Sequence, residues 1–199
     1  MLLYYITDRR QFSGDILAKI SESTVAGVDY IQLREKDLST RELEALALRI
    51  KNPELKTGNS KSCLLINSRP DVAMAAGAQG IHLPANEISP REVRRIWRGS
   101  TRPLIAVSCH HEDEVSRAAA EGADFAVFGP VFEKINTTPQ GLASLRAACR
   151  NSIPVLALGG ITLANARSCL DAGAAGIAAI RLFQENNVAD VVAALRELA

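Results

Sequence analysis

Four glycines at nearly even intervals set the frame for this chain. Gly27, Gly77, Gly122 and Gly173 stand in Ala26-Gly-Val-Asp29, Ala76-Gly-Ala-Gln79, Glu121-Gly-Ala-Asp124 and Ala172-Gly-Ala-Ala175, separated by 50, 45 and 51 residues. Each reads as a helix C-terminus, where glycine takes the left-handed turn that ends a helix. Each interval holds two strand-plus-helix units, so the chain reads as four pairs of them. The strands are expected at Leu2–Thr7, Asp29–Lys36, Cys63–Ser68, Gly80–Pro84, Leu104–His110, Phe125–Pro130, Ile153–Gly160 and Gly176–Leu182. Between them run amphipathic segments such as Arg41–Ile50, Arg91–Trp97, Glu112–Glu121 and Ala164–Ala172, with Val188–Leu198 at the end. Ser39-Thr-Arg-Glu42 and Ser89-Pro-Arg-Glu92 fit the capping box, the second with proline at the first helical position.

Strict alternation over such distances implies parallel strands, since only a crossover helix joins parallel neighbours. A closed (β/α)₈ barrel and an open doubly wound sheet both fit the count. An open sheet has edge strands, which tend to be short or polar. Here the first and last strands, Leu2–Thr7 and Gly176–Leu182, are both apolar, which favours closure. The 199 residues suffice for one minimal barrel domain over 1–199. Lys56–Ser62 is a polar stretch expected to bulge before the third strand.

A net charge of +1 gives no sign of a nucleic-acid or membrane partner, and no apolar run is long enough to span a bilayer. Met1–Asp8 is too short and ends too polar for a signal peptide. The four cysteines show no metal spacing and read as free thiols in a reducing cytoplasm.

In such barrels the site forms at the carboxyl ends of the strands. Alternation along the second strand puts Gln32, Arg34 and Lys36 on one face and Ile31 and Leu33 on the other. If the apolar face meets the helices, an amide and two cations face the barrel interior. Unpaired charges there are costly, so an anionic ligand or buried partners such as Asp8 or Glu35 must answer them. On the fifth strand Leu104, Ala106, Ser108 and His110 share the inward parity, which sets His110 at the upper rim as a proton-transfer group, with Lys36 the next candidate. His111 reads as a surface loop residue and His82 as hydrogen-bonded architecture. Gly159-Gly160 after strand seven, with Arg181 after strand eight, carries a phosphate signal.

Ile6-Thr-Asp-Arg9, Gln32-Leu-Arg-Glu-Lys36, Phe128-Gly-Pro-Val-Phe132 and Ala157-Leu-Gly-Gly-Ile161 resemble the thiamin phosphate synthase and TenI-type thiazole tautomerase superfamily, over nearly the whole chain. The resemblance implies a (β/α)₈ barrel, often a homodimer, acting on a phosphorylated thiazole. It implies that Gly159, Gly160 and the backbone near Ile180 and Arg181 hold the thiazole phosphate, and Gln32, Arg34, Asn67 and Ser108 are the further candidates for binding substrate.

The two branches differ. Synthases carry Asn-Asp-Arg after strand three, whose aspartate binds Mg2+, where this chain has Asn67-Ser68-Arg69. After strand four synthases carry a second magnesium ligand, and Glu87 in Pro84-Ala-Asn-Glu87 is the residue left for it. Synthases grip the diphosphate with threonines and a lysine in the loop after strand six, whereas Glu133-Lys-Ile-Asn-Thr-Thr-Pro139 is short and lacks that order, with Lys134 and Thr137 as partial substitutes. These departures favour a metal-free tautomerase with His110 as proton shuttle. The alternatives are a synthase with its metal held by Glu87 and substrate phosphates, a non-catalytic regulatory barrel, and an unrelated phosphosugar barrel.

Overall fold

The computed structural model describes residues 1–51, 62–99, 101–133 and 137–198. Eight parallel strands, β1 (Leu2–Ile6), β2 (Tyr30–Leu33), β3 (Cys63–Asn67), β4 (Gly80–Leu83), β5 (Leu104–Cys109), β6 (Phe125–Phe128), β7 (Val155–Leu158) and β8 (Gly176–Ala179), close into a barrel in sequence order. The closing seam is β1 on β8, with Leu2 opposite Gly176 and Tyr5 opposite Ala179. The helices are α1 (Ile16–Val25), α2 (Thr40–Lys51), α3 (Pro70–Ala75), α4 (Pro90–Ile96), α5 (Glu112–Ala120), α6 (Gly141–Ala148), α7 (Ala166–Asp171), α8 (Arg181–Gln184) and α9 (Val188–Arg196). Of the expected bulge, 56–61 lie outside the described residues, as does Lys134.

The spaced glycines end α1, α3, α5 and α7, with φ of +90°, +63°, +88° and +104°. The residue two places beyond each glycine accounts for the rest of the repeat. Asp29 accepts from Leu3 N at 2.8 Å, Gln79 from Leu64 N at 2.9 Å and Asp124 from Ile105 N at 2.7 Å. Each returns its own amide to the carbonyl of that same residue. These polar side chains thus clasp the foot of the neighbouring strand, worth about 1 kcal/mol net for each hydrogen bond. Ala175, in the fourth unit, makes only the backbone half, to Val155 O at 2.8 Å.

Strand parity sorts the core into two layers. Leu3, Tyr5, Ile31, Leu33, Leu64, Ile66, Ile81 and Ile105 pack outward under the helices. Tyr4, Ile6, Leu65, Ala106, Phe125, Val127, Leu156 and Ala178 fill the barrel. Low in the barrel Tyr30 stacks on Phe125 at 5.0 Å, and Tyr4 meets both rings edge-on at 5.8 and 5.7 Å. Edge-to-face and offset contacts of this kind let three rings share a narrow lumen.

The strands end earlier than the sequence suggests. β2 stops at Leu33 rather than Lys36, so the alternation rule does not reach Lys36, which lies in an exposed turn. β8 stops at Ala179, and Arg181 opens α8 instead of ending a strand. After β2 a polar loop succeeds the apolar run, and after β8 a helix begins one residue on, in neither case with a glycine or proline to mark the boundary. Of the two capping boxes, Ser39 and Glu42 form theirs in full. Ser89 receives Glu92 N, but the Glu92 carboxylate turns to Arg95 instead. The four cysteines are free thiols, and burial pushes Cys109 up to about 12. No described helix is long and apolar enough to cross a membrane.

Candidate active site at the carboxyl ends of the strands

The interior of the barrel is polar just below its mouth. Gln32 Nε2 donates to Tyr4 Oη at 3.1 Å, and Tyr4 Oη lies 3.1 Å from His82 Nδ1. His82 Nε2 lies 2.7 Å from Ser108 Oγ. Four side chains from β1, β2, β4 and β5 thus form one line across the lumen. Tyr4, Gln32 and His82 are 0%, 1% and 2% exposed, while Ser108 is only partly buried. His82 is therefore the hydrogen-bonded architecture its position in β4 suggests. Burial, with a smaller push from the Arg34 cation, lowers it from 6.5 to about 3, so it is neutral at physiological pH.

That shift has a stability consequence. The unfolded chain protonates His82 near 6.5 while the folded chain resists protonation until about 3, so folding stability falls as pH falls through that window. Urea unfolding at pH 5 should give about 2 kcal/mol less stability than at pH 7 from this group alone. His82→Gln should remove that part of the slope. Glu35 works oppositely: burial raises its carboxyl, so its contribution is present at low pH and is lost as pH rises.

Around the mouth stand the charged groups. Arg34 is partly buried and pairs with Asp8 at 3.6 Å, while its amide donates to Thr7 Oγ1 at 3.0 Å. Arg9 reaches Asp37 at 2.5 Å and approaches Glu35 at 3.8 Å. One of the anticipated partners, the partly buried Asp8, therefore answers part of the strand-two charge. Asp8 is itself strapped to the far side of the seam. Buried Gln184, from α8, accepts from Asp8 N at 2.8 Å and donates to Asp8 O at 3.1 Å.

On β3, Asn67 Nδ2 donates to Ser68 Oγ at 2.8 Å. Ser68 has φ +63°, the one described non-glycine residue on the left-handed side. His110 comes directly after β5 and is exposed. Its Nδ1 lies 2.5 Å from Gly129 O, so Nδ1 carries the hydrogen and Nε2 keeps the lone pair in the neutral ring. The ring is thus held to the end of β6. His111 is the exposed residue at the start of α5, as expected.

The glycine pair has a local explanation. Val131 N donates to Leu158 O and Phe132 N to Gly159 O, so the loop after β6 is zipped onto the end of β7. Gly159 (φ +96°) and Gly160 (φ +65°) lie under that loop. A Cβ on Gly159 would sit 2.5 Å from Pro130 Cβ, and one on Gly160 would sit 2.7 Å from Glu133 O. Gly-Pro-Val-Phe and Leu-Gly-Gly-Ile are therefore two halves of one packed corner. Gly160→Ala should cost at least about 1–2 kcal/mol from the left-handed backbone alone, read as a lower urea midpoint. Ile180 caps α8, and exposed Arg181 is its first residue.

The structure joins Gln32 to Ser108 through Tyr4 and His82, while Arg34 stands beyond the end of β2, paired with Asp8. Asn67 joins them at the end of β3, opposite His82 in the strand register. Lys36 and Glu87 are exposed residues of the surrounding loops, and Arg181 is exposed at the start of α8. Sequence reasoning missed Tyr4, although parity on β1 places it inside, and Gln184, for which the sequence carries no signal. Among the described residues no three His, Cys, Asp or Glu side chains gather as a metal-binding group.

A closed eight-strand barrel with its polar and cationic groups at one mouth is the architecture of (β/α)₈ enzymes. The family model described as thiamine monophosphate synthase matches residues 3–183, and the chain belongs to that family, within thiamin biosynthesis. A relative in Geobacter sulfurreducens, named "Putative thiamine-phosphate synthase", is 46% identical over 89% of this chain and 84% of its own length. A thiamine-phosphate synthase of Methanoculleus marisnigri is 39% identical over 98% of this chain and 92% of its own. The solved thiamine phosphate pyrophosphorylase of Pyrococcus furiosus superposes with a TM-score of 0.84 at 29% identity, covering 99% of this chain and 94% of that one.

Proposed function

We propose that this chain is a thiamine-phosphate synthase. The ring nitrogen of the thiazole phosphate attacks the methylene carbon of hydroxymethylpyrimidine diphosphate. A C–N bond forms, the C–O bond to the diphosphate breaks, and pyrophosphate leaves. The relatives' names support this over the tautomerase that Ser68 first suggested. The observation that carries it is Arg34, a cation at the end of β2 whose ion-pair partner, Asp8, lies at a long 3.6 Å. A guanidinium that is only loosely paired is available to a leaving anion, and its fork matches phosphate oxygens.

In this reading Arg34 and Lys36 receive the diphosphate, and Gly159, Gly160, Ile180 and Arg181 hold the thiazole phosphate. Gln32, Asn67 and Ser108 face the pyrimidine. Among the described residues, Ser68 and Glu87 do not fit a magnesium site of the kind the resemblance implies. Ser68 offers a neutral hydroxyl already accepting from Asn67, and Glu87 is a single exposed carboxylate. Magnesium titrated into the free protein should give no binding heat, and stoichiometric binding abolished by Glu87→Gln would correct this.

The second reading, a thiazole tautomerase, is favoured by Ser68 and by His110, whose Nε2 lone pair could carry a proton between ring carbons. Incubation with both synthase substrates and magnesium, and separately with thiazole carboxylate phosphate alone, separates the two. Thiamin phosphate in the first vessel supports the synthase. Isomerised thiazole in the second, with nothing in the first, overturns it.

A further inference from the structure

The line Gln32–Tyr4–His82–Ser108 has a direction, and that direction decides what Ser108 presents to the mouth. Gln32 Nε2 donates to Tyr4 Oη, and Tyr4 is fully buried. The one hydroxyl hydrogen of Tyr4 then has His82 Nδ1, at 3.1 Å, as its acceptor. A neutral imidazole has one donor and one acceptor nitrogen, so a Nδ1 that accepts requires a hydrogen on Nε2. That hydrogen points along the 2.7 Å contact to Ser108 Oγ, which accepts it. The Ser108 hydrogen is thereby left without a use in the line. We propose that Tyr4 and His82 are positioning residues that fix Ser108 as a hydrogen-bond donor toward a substrate atom bearing a lone pair and no hydrogen. This rests on the synthase reading for the identity of that substrate, the aminopyrimidine with its unprotonated ring nitrogens.

The device needs few parts. A serine hydroxyl facing water can donate or accept as its rotor turns. Here a buried, neutral imidazole takes one of the two lone pairs of the oxygen and keeps the hydrogen off that side, which turns the hydrogen toward the mouth. A ring nitrogen there receives that hydrogen directly, whereas an N–H or O–H in its place has only the one remaining lone pair to meet and must turn the hydrogen aside. Burial of Tyr4 and His82 is needed, because water at either position would supply a competing hydrogen and scramble the order. Reversing the Gln32 amide reverses every donor and acceptor in the line, so the two orders require opposite tautomers of His82.

The test has two arms. In ¹⁵N-histidine-labelled wild-type protein at pH 7, the His82 signals, assigned by their loss in His82→Gln, should show Nε2 protonated and Nδ1 bare. Nδ1 protonated would overturn the proposal, and this arm does not depend on which reaction the protein catalyses. The second arm is a double-mutant cycle on thiamin phosphate formation. Tyr4→Phe and His82→Asn should each lower kcat roughly tenfold, the worth of one neutral hydrogen bond, with KM little changed. His82→Gln, which keeps a donor toward Ser108, should recover most of the loss. In a Ser108→Ala background neither Tyr4→Phe nor His82→Asn should cost anything further. Losses that multiply in that background would mean that Tyr4 and His82 serve only the packing of the barrel. If the wild type makes no thiamin phosphate, the synthase reading fails while the tautomer result still stands or falls alone.

Discussion

Arg34→Ala is expected to slow thiamin phosphate formation by ~10²–10³-fold, the usual cost of removing one preorganised group aimed at developing charge. The loss should fall mainly on kcat, because the negative charge on pyrophosphate grows as the C–O bond breaks. Asp8 is the reason the effect can be so large. It holds the guanidinium at the mouth from 3.6 Å before any substrate arrives, and Asp8 is itself held by the Gln184 side chain. The cation thus waits at the mouth, paired loosely enough to turn to the leaving group as it forms. Arg34→Lys should restore only part of the rate, since a point charge cannot grip two phosphate oxygens in a fork. A steady-state comparison of the three proteins decides it. Unchanged kcat in Arg34→Ala would remove Arg34 from the leaving-group role and with it the observation on which the synthase reading leans.

The second large effect concerns His110. His110→Asn should slow isomerisation of thiazole carboxylate phosphate by ~10²–10⁴-fold, the ordinary contribution of a general acid–base. Thiamin phosphate formation from the aromatic thiazole phosphate should change far less, since joining the rings moves no proton at carbon. The fixed Nδ1 contact to Gly129 O gives the argument its geometry, because it leaves Nε2 as the nitrogen able to take a proton. Asparagine cannot carry one. Equal losses in both reactions would mean His110 acts by holding the β6 loop, and no isomerisation by the wild type would retire the tautomerase reading.

Much of this architecture can be read from residue order. The glycine spacing marks four helix ends, and apolar first and last strands mark closure, because a barrel has no edge to protect. Parity on β2 and β5 correctly turns Gln32 and Ser108 into the lumen. It fails at Lys36, since alternation holds only while the chain is extended and this residue comes after a strand that has already ended. The pairing of Arg34 with Asp8, anticipated as one alternative, depends on where two loops meet. The interlocking of Pro130 and Phe132 with Gly159 and Gly160 is invisible in sequence for a different reason. Each motif looks self-sufficient, and only the fold sets one upon the other. The clamp of Gln184 on Asp8 joins residues 176 positions apart, beyond any local pattern.

The seam between β1 and β8 bears on how this chain is made. During synthesis β1 finds β2 early, with Tyr4 opposite Tyr30, but its other flank has no partner until residues 176–179 exist. Through most of translation the nascent polypeptide therefore exposes one apolar strand edge, Leu2–Ile6, to the crowded space outside the ribosome. Such edges recruit strands from other chains as readily as their own. Contacts between the first and last strands are also the slowest to form, since the longest loop must close to bring them together. Misassembly and demand for chaperones should concentrate at this seam.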